Sequence, residues 1–247
     1  TFHATFNSNW KFKFWGFLFK DWISKAALRI CVSKTAGYAL KNYGYDINYE
    51  IIPNGVDIER FKISKSNLNQ ELRILFVGRN EDRKGIKILL EAFKIVIRKH
   101  SNVTLNLVGE GVRSLSNKYA NISNCKFYDH MEGDELVGMY HRSQIFCSPA
   151  IENESFGIVL LEAMASGLVV VASDIEGYRG LVNNYENGIL FKNRDYEGLA
   201  RIFCELIENR YLINKLSLNG MHFSKRYSWK EVSQEIILNY EKRVKIG

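Results

Sequence analysis

The sequence predicts an α/β protein built on a parallel sheet with helices on both faces. Short buried-strand runs, of which Ile74-Leu75-Phe76-Val77 opens the regular part, alternate with helical periods of ten or so residues, the pattern of repeated βαβ units. The chain has 247 residues, 46% hydrophobic and 25% charged, which excludes disorder, collagen and a disulfide miniprotein and allows one to two domains. No apolar run reaches the roughly 18 residues that a membrane span needs.

In chain order, an aromatic segment from Trp10 to Trp22 precedes Ala26 to Ser33, which reads as a helix end running into a short buried strand. Ser33 is suited to cap a helix reaching about Tyr43 and ended by Gly44. Glu50-Ile51-Ile52 reads as a strand halted by the turn Pro53-Asn54-Gly55, and the polar stretch Ser64 to Glu71 as a linker. The Arg73–Val77 strand leads into a helix over Ile86–Arg98 and a strand over Val103–Val108. Further strands are expected near Lys126-Phe127, Ile145–Cys147 and Leu168–Ala172, with helices at Asp134–Arg142 and Phe156–Ser166. Tyr196–Ile207, Leu212–Lys225 and Trp229–Arg243 read as three closing helices. Ligands of such sheets bind outside the carboxyl ends of the strands, so the loops after Val77, Val108, Phe127 and Cys147 are the ones to search.

The 34 basic and 27 acidic side chains give a formal charge of +7. That suits anionic small molecules or an acidic membrane surface and is too weak alone to imply nucleic acid. Cys31, Cys125, Cys147 and Cys204 show no paired metal spacing and read as reduced, packed thiols. The chain opens Thr1-Phe2-His3 without an initiator methionine or signal region and is expected to be a fragment of a longer protein.

Three loops carry chemistry. Gly78-Arg79-Asn80-Glu81-Asp82-Arg83-Lys84-Gly85 places two glycines and three cations at a strand's carboxyl end. Arg79 and Lys84 have the chemistry to neutralise a diphosphate, the first by forked hydrogen bonds and the second as a point charge. Gly109-Glu110-Gly111-Val112-Arg113-Ser114 nearly matches a dinucleotide fingerprint, but Ser114 replaces the third glycine, and a tight turn explains it better. In Glu154 to Gly167 two glutamates eight apart bracket the start of a predicted helix. Amides of Ser155, Phe156 and Gly157 at its N-terminus would attract phosphate. Glu154 could then accept bonds from sugar hydroxyls and Glu162 from a ribose diol. The alternatives are a charge favourable to the helix dipole at Glu154 and a solvated surface position at Glu162.

The segment Glu154 to Glu162 resembles the glutamate, seven residues, glutamate signature of family 4 retaining glycosyltransferases, which have the GT-B fold. Ile52 to Asp57 is similar to that family's interdomain segment, Gly78 to Gly85 to its diphosphate loop, and Val108 to Gly111 to its next strand end. Val169 to Ser173 and Asn187-Gly188 also fit, while Asp82 stands where a proline is common. Within the family the likeness is to phosphatidylinositol alpha-mannosyltransferases, through Glu154–Leu160, Ala172-Ser173-Asp174 and Thr1-Phe2-His3.

The resemblance implies a Rossmann-like nucleotide-sugar domain over 73–225, an interdomain segment over 53–72, a remnant of the acceptor-side domain over 1–52, and a closing helix over 226–247. It implies transfer of a hexose, mannose from GDP-mannose or a sugar from another nucleotide diphosphate donor, to a lipid-linked or glycan acceptor with retained configuration. Arg79 and Lys84 would stabilise the leaving diphosphate with no metal required, Glu154 would position the sugar and Glu162 the ribose. Gly78, Ser155, Phe156 and Gly157 would line the donor site. His3 matches the family's cleft histidine, which contacts the donor sugar, and the base would contact the loop near Asp129-His130-Met131.

The aromatics and lysines of Trp10 to Lys20 suit an interfacial segment on anionic lipid, though Phe12, Trp15 and Phe19 also fall at the spacing of a packed helix face. The expected location is cytoplasmic, and a lipid acceptor would add peripheral contact at the inner face of the cytoplasmic membrane. Other readings are a donor-binding fragment without activity, a transferase using a UDP-sugar, and, on fold alone, an epimerase or phosphorylase. An NAD-dependent oxidoreductase is disfavoured by Ser114.

Overall fold

The alternation of buried runs and helical periods builds a six-stranded parallel sheet, preceded by a two-stranded parallel one. The computed structural model describes residues 1–3, 23, 25–26, 28–42, 47–62 and 71–244. Its elements begin β1 (Ile30–Cys31), α1 (Lys34–Asn42), β2 (Glu50–Ile51) and α2 (Ile58–Phe61). The larger sheet and its helices follow as β3 (Leu72–Val77), α3 (Ile86–Lys99), β4 (Val103–Val108), β5 (Cys125–Tyr128), α4 (Gly133–His141) and β6 (Ile145–Ser148). Then come α5 (Ile158–Ala165), β7 (Val169–Ser173), α6 (Glu176–Arg179), β8 (Ile189–Phe191), α7 (Tyr196–Glu208), α8 (Arg210–Ser224) and α9 (Trp229–Val244).

The strand order is β5-β4-β3-β6-β7-β8, parallel throughout. The chain starts in the middle, winds outward to β5, then crosses back to β6 and winds outward the other way. That reversal falls between β3 and β6, where the following loops leave in opposite directions and open a crevice at the carboxyl edge. Pairing between the two strands covers Ile74↔Ile145 and Leu75↔Phe146 only.

Both sheet faces are covered, as unbroken apolar strands require. Ile74, Phe76, Ile145, Cys147, Val169 and Val171 point into one core with Leu89, Phe93 and Val96 of α3 and Leu199 and Phe203 of α7. Leu75, Phe146, Val170 and Ala172 point into the other with Tyr140 of α4 and Leu160, Leu161 and Met164 of α5. Each fully buried side chain of this size contributes about 1.5–3 kcal/mol. The four cysteines are free thiols.

Ser33 caps α1 as its hydroxyl chemistry predicts, accepting from the Ala36 amide at 3.0 Å. Phe2 joins the β1 edge, its amide donating to the Ile30 carbonyl at 2.8 Å. On the other side α9 packs Val232 against Ile30 and Ile52, and Arg243 donates to Glu50 at 3.0 Å.

Three short elements were not anticipated: α2, α6 and β8. The helix expected from Phe156 starts at Ile158, because Gly157 sits in the left-handed region at φ 86° and breaks the helical path there. The expectations for residues 10–22, 43–44 and 64–70 lie outside the described residues. Among the described residues no helix is long and apolar enough to cross a membrane.

Candidate active site

At the crevice between β3 and β6, the loops after those strands are locked together by their backbones. The Ile151 amide donates to the Arg83 carbonyl at 2.7 Å. Gly85 has φ +69°, and a Cβ built on it would stand 1.9 Å from the Pro149 carbonyl oxygen. A side chain there would collide with backbone and strain the turn as well. On the far side of the second loop, a Cβ on Gly177 would stand 2.0 Å from the Glu154 carbonyl oxygen, so α6 is pressed against the residue that carries the first glutamate.

These approaches bring Lys84 and Glu154 into contact across seventy residues of sequence. Lys84 Nζ lies 2.6 Å from Glu154 Oε1, and Arg83 Nη1 lies 3.0 Å from the same oxygen. Glu154 is 11% exposed and Lys84 20% exposed at the side chain, so this is a desolvated charge cluster rather than a surface pair. Arg83 Nε also pairs with Glu81 at 2.6 Å, and Glu81 pairs with Arg79 at 3.0 Å. The cluster therefore holds three cations and two carboxylates. Arg79 is its exposed end, with 59% of its side chain open to solvent.

Arg83 and Glu81 are the members that reading the sequence did not assign. The loop displays three cations in a row of eight residues, but only the 3-10 turn Asp82–Lys84 decides which of them face Glu154. Gly78, whose amide donates to the Val108 carbonyl at 2.9 Å, lies beside the Lys84 stem; a Cβ on it would be 3.8 Å from Lys84 Cδ.

The N-terminal residues reach the same loop. Ser155 Oγ donates to the His3 carbonyl at 2.7 Å, and Ser33 Oγ donates to the Ser155 carbonyl. His3 thus borders the glutamate loop through its backbone, with the residue itself exposed. Phe156 is 7% exposed and packs toward Tyr227, ring centroids 6.0 Å apart, so only its backbone is available to a ligand. Ser155, Phe156 and Gly157 form the bend before α5, and the free amides of the helix itself begin with Ile158.

Glu162 does not share partners with Glu154. It lies in α5, half-buried, and Oε2 accepts the Tyr140 hydroxyl at 2.9 Å. Burial raises its pKa above the ordinary glutamate value, opposed by the Tyr140 hydrogen bond and the charge of Arg60. A solvated surface position is thereby excluded. Behind Glu154, Tyr178 is fully buried, its hydroxyl 2.6 Å from Ser148 Oγ. Burial first, and the Glu154 charge second, push the Tyr178 phenol far up, so it stays protonated.

The Gly109–Ser114 loop is a tight turn, as expected: Val112 N donates to Gly109 O at 3.1 Å, and a 3-10 turn follows in place of an α-helix. The dinucleotide reading loses its phosphate-binding helix there. His130 is an exposed loop residue 2.7 Å from Glu132. Among the described residues no group of three or more metal-binding side chains comes together.

A Rossmann-like strand order with a charged crevice at its reversal point defines a doubly wound α/β domain, the class in which ligands sit at such a crevice. Its fold is that of GT-B glycosyltransferases: Anabaena Alr3699/HepE, solved in complex with UDP-glucose, superposes with a TM-score of 0.80 at 22% identity, over 93% of this chain and 68% of that one. The chain belongs to the family described as glycosyl transferases group 1, whose model matches residues 57–223. A phosphatidyl-myo-inositol mannosyltransferase of Mycobacterium leprae is 31% identical over 98% of this chain and 66% of its own length. A glycogen synthase of Mycobacterium tuberculosis is 31% identical over 64% of this chain and 40% of its own length. The chain thus spans just under two thirds of the first of these relatives and less than half of the second.

Proposed function

We propose that the chain carries the donor site of a glycosyltransferase that moves a hexose from a nucleotide diphosphate sugar to an acceptor hydroxyl with retention of configuration. The observation that carries this reading is the convergence of Lys84 and Arg83 on one oxygen of Glu154 at the switch point of the sheet. Lys84, Arg83 and the exposed Arg79 stabilise charge as it develops on the departing diphosphate, a role that preorganised cations fill well in a partly desolvated site. Glu154, adjoining them, accepts hydrogen bonds from the sugar hydroxyls, and Glu162 holds the ribose. His3, next to Ser155, borders the sugar. This set of charges needs no metal ion to balance the diphosphate.

The sugar is mannose, which the mycobacterial relative's name supports, and GDP is its carrier as the family resemblance implies. A UDP-sugar is the second reading, favoured by the UDP-glucose complex of the Anabaena protein. The acceptor is a lipid-linked or glycan hydroxyl, and the lipid case places the protein peripherally at a membrane.

A donor screen on the full-length protein, with products scored by mass, tests the reading. Transfer from one nucleotide sugar is expected, and Lys84→Ala should lower turnover at least about 100-fold, as loss of a preorganised electrostatic contact does. A Lys84→Ala protein with near-normal rates rejects the site. Nucleotide binding without transfer reduces the reading to a donor-binding chain.

A further inference from the structure

Glu162 meets a side chain that no sequence motif singled out. The Tyr140 hydroxyl donates to Glu162 Oε2 at 2.9 Å, while Oε1 has no partner among the described residues. Tyr140 has no exposed surface, and its ring is fixed from two sides. It stacks on Phe146 at 5.8 Å and 19°, and meets Phe61 edge-on at 5.3 Å and 86°. Phe61 belongs to α2, whose carbonyl at that position lies 3.0 Å from His141 Nε2. The neighbouring Arg60 adds its positive charge to the surroundings of Glu162.

We propose that Tyr140 is a positioning residue for nucleotide binding: it pins one oxygen of Glu162 and so aims the other at the two hydroxyls of a ribose. The inference rests on the ribose role given to Glu162 above. The terminal torsion of a glutamate is broad and weakly ordered. A carboxylate already held at one oxygen has lost that freedom before the nucleotide arrives, and a preorganised partner binds more tightly for that reason. The Tyr140 hydrogen bond from α4 and the Arg60 charge from α2 both favour the ionised carboxylate, against the burial that raises its pKa. The ring socket accepts phenylalanine without change of shape, which isolates the hydroxyl.

The test is calorimetric titration of the full-length protein with GDP, UDP and their 2′-deoxy forms. Wild type is expected to prefer the ribose form of whichever nucleotide binds by about tenfold, the value of one charge-assisted hydrogen bond. Glu162→Ala should erase that preference. Tyr140→Phe should cut it to within about threefold of unity while leaving the 2′-deoxy affinity within about twofold, since a bond of this kind supports the ribose alone. If Glu162→Ala erases the preference and Tyr140→Phe retains it in full, the Tyr140 inference is overturned and the ribose reading stands. A preference that survives Glu162→Ala overturns the ribose reading, and with it this one, as does binding of neither nucleotide. Should Tyr140→Phe not fold, Phe61→Leu removes the edge contact and keeps the hydroxyl. It should lower the preference about twofold by loosening the ring, and an unchanged preference overturns the inference.

Discussion

Replacing Glu154 by glutamine is expected to separate nucleotide binding from transfer. In the unliganded chain Glu154 Oε1 holds Lys84 Nζ at 2.6 Å and Arg83 Nη1 at 3.0 Å. Bonds of this charge-assisted kind are worth about 1.5–3 kcal/mol each when the groups are poorly solvated. Glutamine keeps the shape and an acceptor but removes the charge, leaving two cations beside each other with one carboxylate, Glu81, for company. The loss is then on the order of 2 kcal/mol, which lowers the melting temperature of a chain this size by about 4–8 °C. That same interaction is what a diphosphate must displace to reach the two cations. With the competitor gone, nucleoside diphosphate affinity should hold or rise, by at most about 30-fold for 2 kcal/mol. Turnover should fall at least about 100-fold, because the sugar has lost its anionic acceptor. Thermal denaturation, calorimetry with GDP and UDP, and product formation by mass measure the three quantities on one variant. Transfer at the wild-type rate would refute the role of Glu154. Nucleotide affinity that falls in step with turnover would refute the assignment of Arg83 and Lys84 to the diphosphate.

Three further outcomes follow from the same geometry. Gly85→Ala places a Cβ 1.9 Å from the Pro149 carbonyl oxygen at φ +69° and should destabilise the protein by about 1–3 kcal/mol, read as a lowered urea midpoint; a midpoint equal to wild type sinks the packing of the two loops. Glu162 offers two charge-assisted acceptor oxygens when ionised and weaker, partly blocked acceptance once protonated, and its pKa is raised by burial, so nucleotide affinity should decline on acidification at a pH above the ordinary glutamate range. Glu162→Gln should remove that acid limb, and calorimetry across pH 4–7 (a range spanning the usual carboxylate and histidine values, about 4 to 6.5) detects it. Transfer is expected to continue in EDTA, since Lys84, Arg83 and Arg79 supply the balancing charge; activity lost in EDTA and restored by a divalent cation would contradict that role.

The regular part of the fold was legible because its strands are buried on both faces and its helices are long. Ile74–Val77 and Val169–Ala172 read as unbroken apolar runs, and α3 shows the 3.6-residue period over fourteen residues. The elements that escaped notice, α2, α6 and β8, are four, four and three residues long. Fewer than two helical turns show no period, and three apolar residues do not distinguish a strand from a loop anchor. For the site, Glu154 and Lys84 stood out by residue type and by loop position, and the structure joins them. Arg83 was hidden because neighbours in a 3-10 turn point in directions that only the turn decides. Tyr140 was hidden for a different reason. A tyrosine at a core position of α4 is indistinguishable in sequence from one that serves packing alone, and its function lies in where its hydroxyl ends.

Topology explains why the two charged loops meet at all. Were β4 rather than β6 the inner neighbour on that side, the loop after β3 would lie against the Gly109–Ser114 turn alone, as it partly does through Asn80 N donating to Glu110 O at 2.9 Å. The reversal puts β6 on the other side of β3, and the Lys84 loop is then flanked by one turn that offers backbone and one that offers a carboxylate. Parallel strands alone do not close the remaining gap, because pairing between β3 and β6 stops at Leu75 and Phe146. Backbone must therefore touch backbone beyond the strand ends, which needs a residue without a Cβ at Gly85 against Pro149, while Gly177 lets α6 press on Glu154 from the far side. The glycines thus act on the chemistry at one remove, by setting the distance from which Lys84 and Arg83 address Glu154, and their loss should move catalysis and stability together where loss of Glu154 moves catalysis far more.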